Sequence, residues 1–327
     1  EIVEALDVAR QGKQFQSYRP LEGIPHHKAK RSLTTGGHYA HLKIAEGCNK
    51  RCTYCIIPYI RGNYRSVPME ELVAQAEELA ARGVKELILV AQETTLYGVD
   101  LYGEKSLHVL LDQLNAVSGI RWIRIMYCYP EEIYDGLIAS IKRNEKVCHY
   151  LDMPIQHISN AMLRRMGRRT TKAELEKTIS HLREEIPDIA LRTTLIAGFP
   201  GETQKDHEEL MDFIDEMEFD RLGVFTYSQE EDTSAALMPK QVPEDVKADR
   251  QCELMELQQD IAFTAAQDMV GRVVTAMIEG KVADENAYVA RTYKDAPGVD
   301  GLLFVNTGRE LMTGDFVKVK ITGSFEY

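Results

Sequence analysis

His38-Tyr39-Ala40-His41-Leu42-Lys43-Ile44-Ala45 runs, after Glu46-Gly47, straight into Cys48-Asn49-Lys50-Arg51-Cys52-Thr53-Tyr54-Cys55. The first stretch is short and β-rich, a strand candidate. The second places three cysteines within eight residues at the spacing C-x3-C-x2-C. No fourth cysteine is near, since Cys128 and Cys148 lie far along the chain. A 4Fe–4S cube takes one thiolate per iron when it only shuttles electrons. Three thiolates in one short loop would hold three irons and leave the fourth open to an exogenous ligand. A structural zinc site reads differently, because it needs four closed ligands, commonly as two separated C-x2-C knuckles. Three unrelated buried thiols are a further reading, cysteine being among the most buried residue types. The tight spacing favours the open cluster.

Outward from that loop, apolar runs alternate with amphipathic helical stretches. Further strand candidates are Glu86–Ala91, Trp122–Tyr127, Val147–Met153, Ala190–Ile196 and Leu222–Tyr227. With the first they make six strand–helix units, which predict an α/β fold with a parallel sheet and helices packed outside. Six units suggest a partial barrel, whose active site sits at the C-terminal strand ends. Cys48 follows the first strand, where that rule places it. One helix is legible in detail: Leu210, Phe213, Ile214 and Met217 form one apolar face, and Thr203 with Asp206 is close to a capping box. A longer helix after Pro243 carries Leu254, Leu257 and Ile261 and ends near Met269. From Gly271 the pattern becomes short strands, Val273–Ile278, Tyr288–Ala290, Leu302–Val305 and Phe316–Ile321, separated by Gly, Asp and Asn turns. It suits a small antiparallel β-barrel.

At 327 residues the chain buries a full core and holds more than one unit. Its formal charge of −12 is a poor match to a polyanion and suits a basic protein partner, although many acidic proteins are acidic only for solubility. Six cysteines without a secretory signal predict a reducing, cytoplasmic setting and metal use in place of a disulfide framework. No apolar stretch reaches the roughly 18 residues of a membrane span, so no membrane partner is expected. Residues 1–35, with Pro20, Gly23, Pro25 and Gly36-Gly37 behind a polar helix-like start, read as a helix end and linker. The start at Glu1 is taken as a fragment of a longer protein. Units are expected at 36–265 and 266–327.

The run from Gly47 to Pro58, continued by Arg61-Gly62-Asn63-Tyr64-Arg65-Ser66, resembles the radical S-adenosylmethionine (SAM) methylthiotransferases from about residue 36 onward. The resemblance implies a (β/α)6 TIM-type radical SAM barrel followed by a TRAM barrel. It implies a 4Fe–4S cluster on Cys48, Cys52 and Cys55 with SAM on the open iron, where one electron splits a C–S bond to give a 5′-deoxyadenosyl radical. It also implies SAM contacts. Gln92, in Gln92-Glu93-Thr94-Thr95, falls where the family presents polar groups to the SAM amine, though an ordinary polar turn reads alike. Gln156 matches a position used near SAM, while neighbouring His157 reads better as a capping or packing histidine. The basic cluster Arg164-Arg165-Met166-Gly167-Arg168-Arg169 suits the SAM carboxylate or a substrate contact, against a plain solvated helix end, with Arg168 the best single candidate. Gly198 and Phe199 lie in an element whose backbone approaches the adenine in the family, and glycine permits that approach. The segment Tyr227 to Thr233 resembles one facing the cavity. No catalytic acid, base or nucleophile is assigned.

Complete members of this family carry a second cluster on three cysteines in an N-terminal domain. No cysteine precedes Gly36 here, and Cys128, Cys148 and Cys252 read as buried thiols. The chain alone is therefore expected to bind one cluster and SAM without completing sulfur insertion, the second 4Fe–4S cluster belonging to a missing domain. For the substrate, residues 266–327 hold nine acidic and seven basic groups, net −2, a weak grip for RNA. Ile125-Met126-Tyr127-Cys128-Tyr129-Pro130 also resembles the branch that modifies a protein. The expected reaction adds a methylthio group to the β-carbon of an aspartate in the basic ribosomal protein S-12, with a reductant protein feeding the cluster. A tRNA methylthiotransferase, or a non-enzymatic iron–sulfur module, is the alternative.

Overall fold

The computed structural model describes residues 2–18, 20–21, 32–283 and 285–325. Helix α1 (Ile2–Arg10) buries none of its residues. Of the expected linker, Gly23 and Pro25 lie outside the described residues. Strand β1 (Tyr39–Lys43) is followed by a small hairpin of β2 (Ala45–Glu46) and β3 (Arg65–Ser66), with helix α2 (Ile57–Arg61) between its arms. Helix α3 (Met69–Ala81) leads to β4 (Glu86–Val90). Helices α4 (Val99–Tyr102) and α5 (Leu107–Ala116) lead to β5 (Trp122–Ile125), and α6 (Asp135–Arg143) to β6 (Val147–Asp152). Then come α7 (Asn160–Arg165), α8 (Lys172–Glu185), β7 (Ala190–Ala197), α9 (Gln204–Met217), β8 (Arg221–Thr226) and α10 (Glu244–Asp268).

The strands pair in the order β1-β4-β5-β6-β7-β8, each pair parallel. All six expected strand–helix units are present, and the sheet stays open between its edges β1 and β8. Side chains alternate across the sheet with period two. Ala40, Leu42, Leu87, Leu89, Ile123, Ile125, Leu151 and Leu191 face the helices and join the main core. Each outer helix answers with one stripe: Leu72, Ala76 and Leu79 on α3, or Leu175, Ile179 and Leu182 on α8. Burying each such leucine or isoleucine contributes roughly 1.5–3 kcal/mol. The expected face of α9 is buried at Leu210, Phe213 and Ile214, and its Thr203–Asp206 capping box is complete. On α10, Leu254 is fully buried with Leu257 and Ile261 packed beside it. That helix runs to Asp268, so the expected boundary at 265 falls within its last turn.

Strands β9 (Val273–Lys281), β10 (Ala287–Arg291), β11 (Leu303–Asn306) and β12 (Phe316–Lys320) form an antiparallel sheet ordered β11-β10-β9-β12. It curls so that its two edge strands line one groove without pairing, a half-barrel around Ala276, Ile278, Tyr288, Ala290 and Val305.

This small unit fills part of the concave side of the parallel sheet. Ile88, Trp122, Cys148, Tyr150 and Ala190 pack there with Met277 and Ala296, and with Phe316 alongside. The Trp122 and Phe316 rings meet edge to face at 4.8 Å. Among the apolar contacts sits an ion network with wholly buried members: Glu86 accepts from Arg124 Nε at 2.8 Å and from Arg291 Nη2 at 2.6 Å. With the N-terminal halves of the strands covered, the C-terminal ends remain as the mouth of the partial barrel.

Candidate cofactor site

The cysteine loop leaves β1 at that mouth, and its path is fixed from several sides. Gly47 has φ +79°, and a Cβ there would collide with the backbone of Gly62 and Asn63, so glycine is required. Its N–H donates to Gln92 Oε1 at 2.7 Å, and the Cys48 N–H donates to the Gly62 carbonyl at 3.2 Å. Asn49 Oδ1 accepts from the Tyr64 N–H at 3.1 Å. Thr53 ties down the far end. Its N–H donates to the Met166 carbonyl at 3.0 Å, its hydroxyl to the Arg165 carbonyl at 2.8 Å, and its own carbonyl accepts from Ala235 N–H at 2.9 Å. The loop is thus held between the end of α7 and the turn that follows β8.

All three loop cysteines are free thiols, Cys48 and Cys52 buried and Cys55 half-buried. Burial pushes the Cys48 thiol up to about 11, with the Lys50 N–H pulling against it, and it raises Cys55 as well. Cys52 Sγ lies 3.4 Å from the Tyr129 hydroxyl. Burial, then the neighbouring Cys52, raises both Tyr54 and Tyr129. Arg168 stands over the Tyr129 ring at 4.3 Å and donates through Nη2 to Glu131 at 2.9 Å, with the Tyr54 hydroxyl also close by; among the described residues its buried Nε and Nη1 make no hydrogen bond of good geometry. Lys50 pairs with Glu132, which also receives Lys105 at 2.8 Å. Glu93 is wholly buried beside Cys48, and burial pushes its carboxyl up to about 7.

Among the described residues, no group of three or more His, Cys, Asp or Glu side chains is placed to hold a metal ion. The donor chemistry fits an iron–sulfur cluster, since soft thiols with cationic Arg168 and Lys50 beside them suit thiolate ligation.

Of the residues predicted for SAM, Gln92 and Arg168 are brought to the cysteine loop. Gln92 uses its carbonyl oxygen on Gly47, a loop-holding contact that the sequence reading did not include. Arg168 is buried, contrary to the solvated helix end that was the alternative. Gln156 sits past β6 at φ +70°, bridged to Leu195. His157 is a cap, as read: its Nδ1 accepts from the N–H groups of Ile158 and Ser159 at 2.8 and 3.0 Å. Gly198 has φ +71°, and its missing Cβ leaves room for the Lys247 side chain of α10. Glu202 accepts from the N–H of Gly198 at 2.9 Å and of Phe199 at 3.2 Å, which shapes that turn. Phe199 is fully buried, edge to face with Tyr227 at 5.3 Å and Tyr54 at 6.4 Å. Past β8, Thr233 caps a short 3-10 turn while Glu230, Glu231 and Asp232 are exposed.

Cys128 and Cys148 are buried as expected, but Cys252 is exposed on α10. A thiol on the solvent side of a long surface helix does not share the burial typical of cysteine. Tyr54, Tyr129 and Glu131 were missed as site residues, and Glu93 was included only as part of the Gln92–Thr95 run. Tyr54 lies inside the cysteine motif and Tyr129 opens the Tyr129-Pro130-Glu131-Glu132 run, the only signals available for either.

The radical SAM superfamily model matches residues 42–214 and the TRAM domain model matches residues 270–327. Ribosomal protein uS12 methylthiotransferase RimO of Lachnoclostridium phytofermentans is 58% identical over 326 residues, covering 100% of this chain and 74% of that relative. The RimO of Clostridium botulinum strain Langeland is 46% identical over 327 residues, covering 100% and 73% respectively. Among solved structures, coproporphyrinogen III oxidase of Escherichia coli aligns at 18% identity and a TM-score of 0.48, covering 72% of this chain and 54% of its own.

Proposed function

Because the chain belongs to the RimO methylthiotransferases of the radical SAM superfamily, we propose that it adds a methylthio group to the β-carbon of an aspartate in ribosomal protein uS12. The superfamily brings an iron–sulfur cluster and SAM. Here Cys48, Cys52 and Cys55 would hold the cluster, leaving one iron for SAM. The observation that carries this reading is a single loop with three free thiols, pinned at the C-terminal end of β1 by Gln92 and Thr53.

When bound, cluster and SAM supply the single electron and the carbon–sulfur cleavage that start the reaction. The chain's own residues do the rest of the work. Gln92 and Thr53 set the loop's path, and Arg168 supplies a cation beside Cys52. Glu202 and Gly198 shape the β7 turn that would meet the adenine, and Gln156 lies past the neighbouring strand β6, bridged to Leu195. Phe199 meets the Tyr54 ring edge to face. Gln92, Gln156, Arg168, Gly198 and Phe199 are thus the proposed SAM-site residues, Gln92 and Phe199 acting through the loop.

Residues 36–265 would form the catalytic unit and 266–327 the TRAM unit, joined through the last turn of α10. A net charge of −12 and the exposed acidic run Glu230-Glu231-Asp232 beside the mouth suit a Lys- and Arg-rich protein substrate. A separate reductant protein would deliver the electron in the cytoplasm. Among the described residues, no helix is long and apolar enough to cross a membrane. The second cluster of the family's sulfur chemistry would lie on residues other than Cys128, Cys148 and Cys252, which stand apart, after β5, on β6 and on α10 respectively.

The test is deoxyadenosine release by the anaerobically reconstituted chain with SAM and a chemical reductant. Stimulation by uS12 and none by tRNA is expected. Stimulation by tRNA alone would overturn the substrate reading.

A further inference from the structure

The Tyr129-Pro130-Glu131-Glu132 segment lies against the cysteine loop, and each of its polar side chains is committed there. The Tyr129 hydroxyl meets Cys52 Sγ at 3.4 Å. Glu131 holds Arg168 at 2.9 Å, and Glu132 pairs with Lys50. Arg168 stacks on the Tyr129 ring from 4.3 Å, and Lys50 approaches the same ring at 5.0 Å. The other two sulfurs are served differently: Cys48 accepts a backbone N–H from Lys50 at 3.4 Å, and Cys55 one from Ile57. The three sulfurs are therefore not equivalent. Among the described residues, Cys52 is the one approached by phenols with a guanidinium behind them, Tyr129 at 3.4 Å and Tyr54 beside it.

A cluster-bound thiolate carries no proton, so the Tyr129 hydroxyl would be the donor in its contact with Cys52. Hydrogen bonds to the sulfurs and nearby charge set the reduction potential of an iron–sulfur cluster. Reduction adds negative charge, so a donor and a cation stabilise the reduced form more than the oxidised one. In a buried site these interactions are less screened than in water.

We propose that Tyr129 and Arg168 are positioning residues that act through Cys52 to raise the cluster's reduction potential, with the Glu131 carboxylate opposing them. This rests on the cluster assignment made above and deepens it. It gives the segment after β5 an electronic role that the strand itself does not need.

The test is a redox titration followed by EPR on the anaerobically reconstituted chain without SAM, with iron counted per chain. Tyr129→Phe should load the same iron and shift the midpoint to more negative potential. Glu131→Gln, a change at a partly exposed carboxylate, should load the same iron and shift it the other way. Opposite signs are the signature, because a merely structural role would move both the same way or neither. Unchanged midpoints, shifts of one sign, or loss of iron in Tyr129→Phe with no shift in Glu131→Gln would overturn the proposal. A wild-type chain that takes up no cluster would instead overturn the assignment on which it rests.

Discussion

Arg291 of the small antiparallel sheet and Glu86 of the parallel sheet, both wholly buried, meet at 2.6 Å across 205 positions of sequence. Arg124 shares the same carboxylate. The two units are thereby joined through a desolvated charge network, where removing one partner leaves an unpaired buried charge. Such a break costs about 3–5 kcal/mol. Arg291→Met should therefore lower the urea midpoint sharply, and Glu86→Gln should do the same. A double-mutant cycle between the two should show strong coupling, and additive effects would separate the two units energetically.

Gln92 gives a different outcome depending on what it holds. Its side-chain oxygen is committed to the Gly47 N–H, a bond worth on the order of 1 kcal/mol. Gln92→Ala should lower iron retention on gel filtration after reconstitution, with only a small change in thermal midpoint. Full iron retention with weakened SAM binding alone would mean that Gln92 serves SAM and not the loop.

Gly198 tests the packing behind the β7 turn. A methyl group there meets Lys247 and must also adopt a positive φ. Gly198→Ala should cost roughly 1–3 kcal/mol from overpacking. The same change should cost less in a Lys247→Ala background than in wild type, since the Cγ and Cδ atoms it would meet are gone. Equal costs in the two backgrounds would contradict a clash with the Lys247 chain.

Glu202 makes stability depend on acid. His157, Arg250 and the Gly198 N–H outweigh burial and hold its carboxyl below the ordinary 4.5. The unfolded chain then binds the proton more readily than the folded one. The contribution is fully present above 4.5 and is lost as pH falls through the lower folded value. Stability measured from pH 6 down to about 3 should fall more steeply in wild type than in Glu202→Gln. Parallel slopes would contradict this.

Much of the frame was legible in the sequence because its signals are local. The six strands show as short apolar runs, and Leu210, Phe213 and Ile214 show as one helical stripe. The cysteine loop is legible from spacing alone. The rest depends on contacts between distant positions. Nothing local to Tyr129 points to Cys52, 77 residues earlier. Nothing local to Gly198 announces Lys247, and nothing in Glu86 announces Arg291. Cys252 was misplaced because residue type was weighed above its position on α10, whose buried stripe runs through Leu254 and Gln258.

EPR of the anaerobically reconstituted and reduced chain, with and without SAM, bears most directly on the cluster. A cluster signal that changes when SAM is added, and that is absent from Cys52→Ala, is the predicted result. A zinc-loaded protein, or a cluster signal indifferent to SAM, would contradict the open-iron site and reduce the cysteine loop to a structural or electron-carrying element.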